Sequence, residues 1–246
     1  MFYFKLAWNN IKTAKKAYAP FVLASFILFS LTCSILLILT SPMAQDMGNG
    51  VMVLPLGIIV LSILSLIMEI YSYKVLLKQR SREFGLYNIL GMNKRQVGLV
   101  STIELAIIFL VLVILGSIFS AILANFLYLI FVNVINYDQL ILSLSPLAFI
   151  VNTFLFSGIF FVLALIGLRQ IGKTSPLSLF RSQEKGEKEP RGNLILALLS
   201  ILFIGIGYGI SIYSKDLSAM EVLLLFFVAV VLVILGTYLF YISFFL

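Results

Sequence analysis

Two acidic residues, Glu69 and Glu104, stand inside long apolar stretches of this sequence. A charged carboxylate at the centre of a lipid bilayer costs several kcal/mol, but near the interface the cost is much smaller. The cations Lys74 and Arg82 are close enough along the chain to be partners. Two interpretations stay open, a paired site that couples a loop to the membrane spans and two acids at the membrane rim. The residues alone favour the second.

The remaining residue types give little support to catalysis. The sequence contains no histidine, and its one cysteine, Cys33, lies in an apolar run where it can form neither an intrachain disulfide nor a thiolate metal site. An intramembrane hydrolase would need a nucleophile beside a base, and the spans contain no such couple. We expect no enzyme activity, no metal and no cofactor in this chain.

A stretch from Gly167 to Thr174, GLRQIGKT, matches the pattern of a phosphate-binding loop. Such a loop needs a strand before it and a helix that opens at the Lys-Thr pair. Here an apolar span precedes the stretch, and Pro176 delays the next helix. We interpret it as the end of a span, with a lysine at the lipid surface.

The composition predicts a membrane protein. Hydrophobic residues make up 62% of the chain and charged residues 11%, whereas a soluble domain has about 25% charged residues. One crossing takes about 20 helical residues, and the apolar runs lack the alternation of barrel strands. We therefore predict an all-α membrane protein with about six transmembrane helices, near residues 20–40, 51–73, 101–132, 147–168, 193–213 and 221–246. The third is long enough to project beyond the bilayer or to tilt within it.

The positive charges predict the orientation. If the N-terminus is cytoplasmic, Lys215 is the only one of the 17 basic residues that lies outside, which agrees with the positive-inside rule. The net charge of +7 then reflects topology and attraction to anionic lipid, and nucleic acid is not an expected partner. The outer loops are short, so this portion should carry no extracellular domain.

The first 19 residues predict an amphipathic helix in the membrane interface, ahead of a span that begins at Pro20. Trp8 and Tyr18 would lie at headgroup depth. The alternative is a simple charged flank. The residues expected on the apolar face are Phe4, Ala7, Trp8, Ile11 and Ala14, and those expected on the polar arc are Lys5, Asn9, Lys12 and Lys16.

Residues 78–98 predict a short helix, a glycine turn and a return into the third span. Ser81 resembles an N-cap, Gly91 suits the position after a helix end, and Asn93 with Gln96 resembles a capping box. Such a helix could fit a groove in a partner or lie at the interface with solvated charges, and the residues do not decide between these. Its expected apolar face consists of Phe84, Tyr87 and Leu90.

Small and polar residues predict where spans pack closely. Gly116 with Ser120, Ser30 with Ser34, and the glycines 205, 207 and 209 would allow close helix approach. Asn125, Asn133 and Asn152 could form hydrogen bonds between helices.

The stretch from Arg80 to Glu104, RSREFGLYNILGMNKRQVGLVSTIE, resembles the hallmark of FtsX-like ABC transporter permeases. The N-terminal LAWNNIK, the KTSPLSLFR segment and the late GTYLFY resemble the Bce-type subgroup, the bacitracin and antimicrobial-peptide resistance permeases of Gram-positive bacteria. On this resemblance, residues 20–168 form a four-span permease core with its coupling segment at 78–98. Residues 169–192 form a cytoplasmic linker, and residues 193–246 form spans five and six.

The resemblance implies a permease that pairs with two copies of a cytosolic ABC ATPase, which alone binds ATP and magnesium. The ATPase contact would comprise Arg82, Glu83, Phe84, Gly85, Tyr87, Leu90, Gly91 and Met92. A second contact would comprise Ser175, Pro176, Phe180 and Arg181.

The resemblance also implies a role and further partners. Members of the subgroup free cell-wall lipid intermediates from peptide antibiotics in the plasma membrane, and many signal to a membrane histidine kinase. The family pattern continues into a C-terminal half with an extracellular domain, so we expect a truncated polypeptide. The alternatives are a self-contained six-span channel or carrier and a membrane scaffold or sensor for a kinase.

Overall fold

The computed structural model of the chain describes residues 2–42, 44, 53–135, 142–173, 194–213 and 219–245, and these residues contain helices but no strand. The helices, numbered here in chain order, are α1 (Phe2–Thr13), α2 (Lys15–Leu39), α3 (Val53–Gln79), α4 (Ser81–Ile89), α5 (Lys94–Ile135), α6 (Pro146–Lys173), α7 (Leu194–Tyr213) and α8 (Ala219–Phe245). The all-α prediction is confirmed.

Five of these helices, α2, α3, α5, α6 and α7, are long and apolar enough to cross a membrane. The sixth predicted span falls on α8, whose apolar stretch Leu224–Phe240 is shorter. The chain divides into two compact units, residues 1–184 and 185–246.

The first unit is a bundle of α2, α3, α5 and α6 around an aromatic core. The ring of Phe21 lies 5.7 Å from that of Tyr73 and 6.0 Å from that of Phe160, and Phe29 meets Phe156 edge to face at 5.0 Å. Helix α5 has 42 residues, a length of about 63 Å at the usual helical rise. Because a bilayer core is only about 30 Å thick, α5 extends well beyond it, as predicted.

Helix α1 packs on α5 along a narrow face. Ala7 is fully buried against Val100 and Ile107. In contrast, Phe4 and Trp8 remain 60% and 44% exposed, and the ammonium of Lys12 lies 5.3 Å from the Trp8 ring. The expected apolar face is therefore split, with one edge covered by the bundle and the other left uncovered, and the interfacial position of α1 stays a prediction.

The predicted start of the first span is wrong by about one turn. Helix α2 begins at Lys15 and contains Pro20 in its interior. A proline there removes one hydrogen bond, the one to the carbonyl four residues earlier. That carbonyl belongs to Lys16, which is exposed in the first turn of the helix.

Residues 167–173 of the GLRQIGKT stretch lie within α6. The Cα of Gly167 faces the ring of Tyr73 so closely that a side chain there would overlap it. A helix packed in this way presents no row of backbone N–H groups to a phosphate, in agreement with our interpretation of the stretch.

Close approach of α2 and α5 at Gly116 confirms one packing prediction. A Cβ atom on Gly116 would lie 2.6 Å from Cδ1 of Phe29, and one turn later the Ser120 hydroxyl donates to Sγ of Cys33 at 3.2 Å. Of the three polar residues proposed to link helices, Asn152 does so by donating to the carbonyl of Phe29 at 3.3 Å. Asn125 bonds within its own helix, to the carbonyl of Ala121.

Replacing Gly116 with leucine should destabilise the bundle by about 1–3 kcal/mol, the usual cost of overpacking. Gly158→Leu is the matched control, because a Cβ atom there meets nothing within 4 Å. Thermal unfolding of the two purified variants in detergent should show a lowered midpoint for the first only. Equal midpoints would mean that α2 and α5 are not tightly packed at Gly116.

The second unit is the antiparallel helix pair α7 and α8. A Cβ atom on Gly207 would lie 2.7 Å from Cγ2 of Val233, and one on Gly236 would lie 2.7 Å from Cγ1 of Ile204. Gly205 and Gly209 meet nothing within 4 Å. Only the middle glycine of the predicted trio therefore serves close packing within this unit.

Candidate functional site

Helix α4 is a short helix between two long ones. Ser81 is its first helical residue and Arg80 its N-cap, which makes no side-chain capping bond. The prediction that Ser81 caps the helix is therefore wrong. Arg80 occupies the N-cap position instead, and its side chain points into the bundle, where it is 2% exposed.

The C-terminal end of α4 has the predicted glycine turn. Gly91 has a φ of +94°. Its N–H donates to the carbonyl of Asn88 at 3.2 Å, and the N–H of Met92 donates to that of Tyr87 at 2.9 Å. These two bonds form a Schellman motif. The next helix then starts with the predicted capping box, in which Gln96 Oε1 accepts the N–H of Asn93 at 2.9 Å.

A buried carboxylate, Glu104, collects hydrogen bonds from three other segments of the chain. Asn10 Nδ2 and the Tyr18 hydroxyl each donate to it at 2.7 Å. Arg80 donates from Nη1 to Oε2 and from Nη2 to Oε1, the latter at 3.1 Å. Because all four side chains are at most 8% exposed, α1, α2, α5 and the start of α4 are joined through one carboxylate.

Two further bonds extend this arrangement along α4. Arg80 Nε donates to Glu83 Oε2 at 2.9 Å, and the Tyr87 hydroxyl donates to Asn10 Oδ1 at 2.9 Å. We call the six residues the Glu104 network. Its members are Asn10, Tyr18, Arg80, Glu83, Tyr87 and Glu104.

The surroundings of Arg80 keep it charged. Its guanidinium carbon lies 5.0 Å from the ring centres of both Tyr18 and Phe84, a favourable place for a cation. Burial opposes the charge, but the hydrogen bond and negative charge of Glu104 outweigh it and raise the pKa of Arg80 above its ordinary value. Burial also raises the pKa of the Tyr87 phenol, which keeps the proton that it donates to Asn10.

The interpretation of the two acids as exposed rim residues is wrong. Glu69 is 0% exposed and Glu104 is 2% exposed. Glu104 pairs with Arg80, a cation that the sequence did not single out, and not with Lys74 or Arg82. Glu69 belongs to a different contact, in which Ser25 donates to its Oε2 at 2.9 Å.

The predicted ATPase contact divides into covered and uncovered residues. Phe84 and Gly85 are buried, and Tyr87 and Met92 are half-buried, while Arg82, Leu90 and Gly91 are exposed and Glu83 is partly so. Leu90 projects from the end of the helix, away from Phe84 and Tyr87. The second predicted contact, Ser175, Pro176, Phe180 and Arg181, lies outside the described residues.

Three exposed apolar side chains form what we call the α4 patch: Leu86, Ile89 and Leu90. They are 51%, 64% and 72% exposed. Sequence reasoning missed Leu86 and Ile89, because it assigned the apolar face to Phe84 and Tyr87, which face the bundle. It also missed Asn10 and Arg80, and it assigned Tyr18 to headgroup depth without predicting its hydrogen bond to Glu104.

Comparison with known proteins agrees with this architecture. Residues 55–176 match the FtsX-like permease C-terminal family. The chain is 24% identical over 250 residues to bacitracin export permease protein BceB of Halalkalibacterium halodurans, an alignment that covers 96% of this chain and 38% of that protein.

Two further relatives, both from Bacillus subtilis, are also ABC transporter permeases. ABC transporter permease protein YxdM is 23% identical over 98% of this chain and 38% of its own length. The uncharacterized ABC transporter permease YvcS is 25% identical over 75% of this chain and 28% of its own length. The chain thus spans roughly a third of the length of these curated relatives. Residues 55–176 thus carry an FtsX-like permease domain, and the relatives that the chain matches at low identity are ABC transporter permeases.

Proposed function

We propose that this chain is the part of an ABC transporter permease that receives motion from a cytosolic ATPase, through α4, and passes it to the membrane spans. The observation that carries the proposal is the Glu104 network, which ties the start of α4 to α1, α2 and α5 through buried polar contacts. The chain itself would cut no bond, and ATP and magnesium would bind to the ATPase.

The α4 patch is the surface that we assign to this partner. Leu86 and Ile89 lie on this nine-residue helix and Leu90 is its C-cap, and all three are at half exposure or more. Such side chains are costly to leave in water, and apolar anchors at helical spacing suit a groove. Exposed Arg82, on the same helix, would add a charge at the edge. Phe84, Gly85 and Tyr87 would then hold α4 in place from beneath.

The Glu104 network would hold α4 rigidly against the membrane helices. Separating Arg80 from Glu104 would leave two buried charges unpaired, which is strongly unfavourable, so we expect a movement of α4 to carry α5 and α2 with it. Because α5 runs unbroken from Lys94 to Ile135, a tilt at one end reaches the other side of the membrane.

The names of two relatives extend the proposal to a substrate. The BceB proteins of Halalkalibacterium halodurans and of Bacillus subtilis, to which the chain is 24% and 22% identical, are both called bacitracin export permeases. We propose that this chain serves the same class of task, removing peptide antibiotics such as bacitracin from cell-wall lipid intermediates. The proposed setting is the plasma membrane of a Gram-positive bacterium, with a histidine kinase and a C-terminal half carrying an extracellular domain as further partners.

The test is binding of the cognate ABC ATPase to the permease in lipid nanodiscs. Replacing Leu86, Ile89 and Leu90 together with serine should weaken binding at least tenfold, about 1.4 kcal/mol, since apolar anchors would be lost. Phe4→Ser is the matched control, because Phe4 is equally exposed at 60% but lies on α1. Unchanged binding of the triple variant would reject α4 as the docking helix.

An ATPase that binds ATP but does not hydrolyse it separates transport from recruitment. We expect it to dock normally and to abolish antibiotic resistance in cells that carry the permease. Full resistance with the inactive ATPase would identify the chain as a scaffold.

A further inference from the structure

Glu69 is the one acid inside the described spans that has no cationic partner. It lies ten residues before the end of α3 at Gln79, about 15 Å along the helix axis. The side chain is 0% exposed. Its only hydrogen bond within the described residues comes from Ser25 of α2, to Oε2 at 2.9 Å. The other oxygen, Oε1, is buried without a partner.

A second buried polar group shares this place. The hydroxyl of Ser65 lies one turn earlier on the same face of α3, is also 0% exposed, and has no hydrogen-bond partner among the described residues. Residues four apart on a helix are neighbours. Unpartnered buried polar groups are rare in folded proteins, and each one calls for a bound species or a function.

Among the residues that the structure describes, no cation compensates a charge on Glu69. Lys74 is exposed and, five residues on, projects from a different side of α3. Arg80 is about 16 Å further along the axis and already pairs with Glu104 and Glu83. The other titratable or charged side chains of α3 and of the helices packed on it are Lys15, Lys16, Tyr18, Cys33, Tyr71, Tyr73, Lys78, Arg82, Tyr87, Lys94, Arg95, Tyr128, Arg169 and Lys173.

We propose that Glu69, with Ser25 and Ser65, forms a proton-binding site between α2 and α3 within the membrane. An isolated buried carboxylate is very unfavourable in a medium of low polarity, whereas the neutral acid needs only hydrogen bonds. The proton joins one carboxylate oxygen, and that O–H becomes a donor for which the Ser65 oxygen, one turn away, is a suitable acceptor. Loss of the proton would leave a bare charge between α2 and α3 and would loosen their contact.

Two further polar groups lie on the α4 side of this site. Tyr73, one turn further along α3, is 2% exposed, and its hydroxyl lies 3.4 Å from Ser101 Oγ. A small cavity there is lined by these two residues, Tyr18, Arg80 and Glu104 together with Leu76, Leu77, Leu105 and Ile108.

The test is infrared difference spectroscopy of the chain in phosphatidylcholine nanodiscs, with buffer changed from acidic to alkaline. The protonated carboxyl of Glu69 should give a carbonyl band at neutral pH that disappears in Glu69→Gln. Glu83→Gln, which removes a 43% exposed carboxyl, should retain the band. Absence of the band at neutral pH, or its persistence in Glu69→Gln, would overturn the proposal.

Two further measurements complete the test. Sodium at constant pH should leave the band unchanged, and its loss on adding sodium would identify a metal-cation site instead. Glutamine has the shape of the neutral acid, so Glu69→Gln should unfold at the wild-type temperature in neutral buffer. Failure of this variant to fold at any pH would show that the charged carboxylate is required. Neither result depends on which ATPase binds α4.

Discussion

Replacing Glu104 with alanine is expected to destabilise the first unit by about 3–5 kcal/mol. The variant leaves Arg80 buried at 2% exposure with only Glu83 to balance it, and the Glu83 side chain is 43% exposed. It also removes the acceptor of the Asn10 and Tyr18 hydrogen bonds. Thermal unfolding in nanodiscs should show a large fall in the midpoint.

The control is Glu83, the more exposed acid of the Glu104 network. Glu83→Ala breaks the Arg80–Glu83 pair, but at 43% exposure such a pair contributes only about 0–1 kcal/mol. If Glu83→Ala lowered the midpoint as much as Glu104→Ala, the stability would depend on the charge balance around Arg80 and not on the buried hydrogen bonds of Glu104.

A double variant tests whether Arg80 and Glu104 act as a unit. Arg80→Met with Glu104→Met removes both charges and fills the space with flexible apolar side chains, so it should be less destabilising than Glu104→Ala alone. Losses that simply add would show that the two side chains are independent.

Local features of α4 could be read from the sequence because they depend on neighbouring residues. The glycine turn at Gly91 and the capping box of Asn93 and Gln96 involve chemistry within five residues, and both were predicted. The N-cap was predicted wrongly, because serine is usually favoured at that position and Ser81 was the obvious candidate. Burial of Arg80 overrides this local preference.

The Glu104 network could not be predicted in the same way. Its bonds join residues 94, 86 and 24 positions apart, and only the packing of α1 and α2 on α5 decides which polar groups meet. Periodicity showed that α1 has an apolar arc. It could not show that the bundle takes the edge with Ala7 and leaves Trp8 uncovered.

The turn at Gly91 should be the most sensitive position for coupling. Gly91→Pro cannot adopt the φ of +94°, since proline holds φ near −65°. It also removes the N–H that donates to Asn88. We expect the last turn of α4 to unwind, displacing Leu90 and the rest of the α4 patch, and binding of the ATPase to fall more than tenfold.

A graded series at Gly91 separates backbone strain from lost contacts. Alanine should cost about 1–2 kcal/mol in the left-handed region, and asparagine less, because its side chain tolerates that region better. ATPase affinity and amide exchange protection of residues 81–92 should both follow the order glycine, asparagine, alanine, proline. If affinity instead stayed constant while protection was lost, the end of α4 would have no part in docking. That result would leave Leu86 as the candidate anchor, since it lies furthest from the turn.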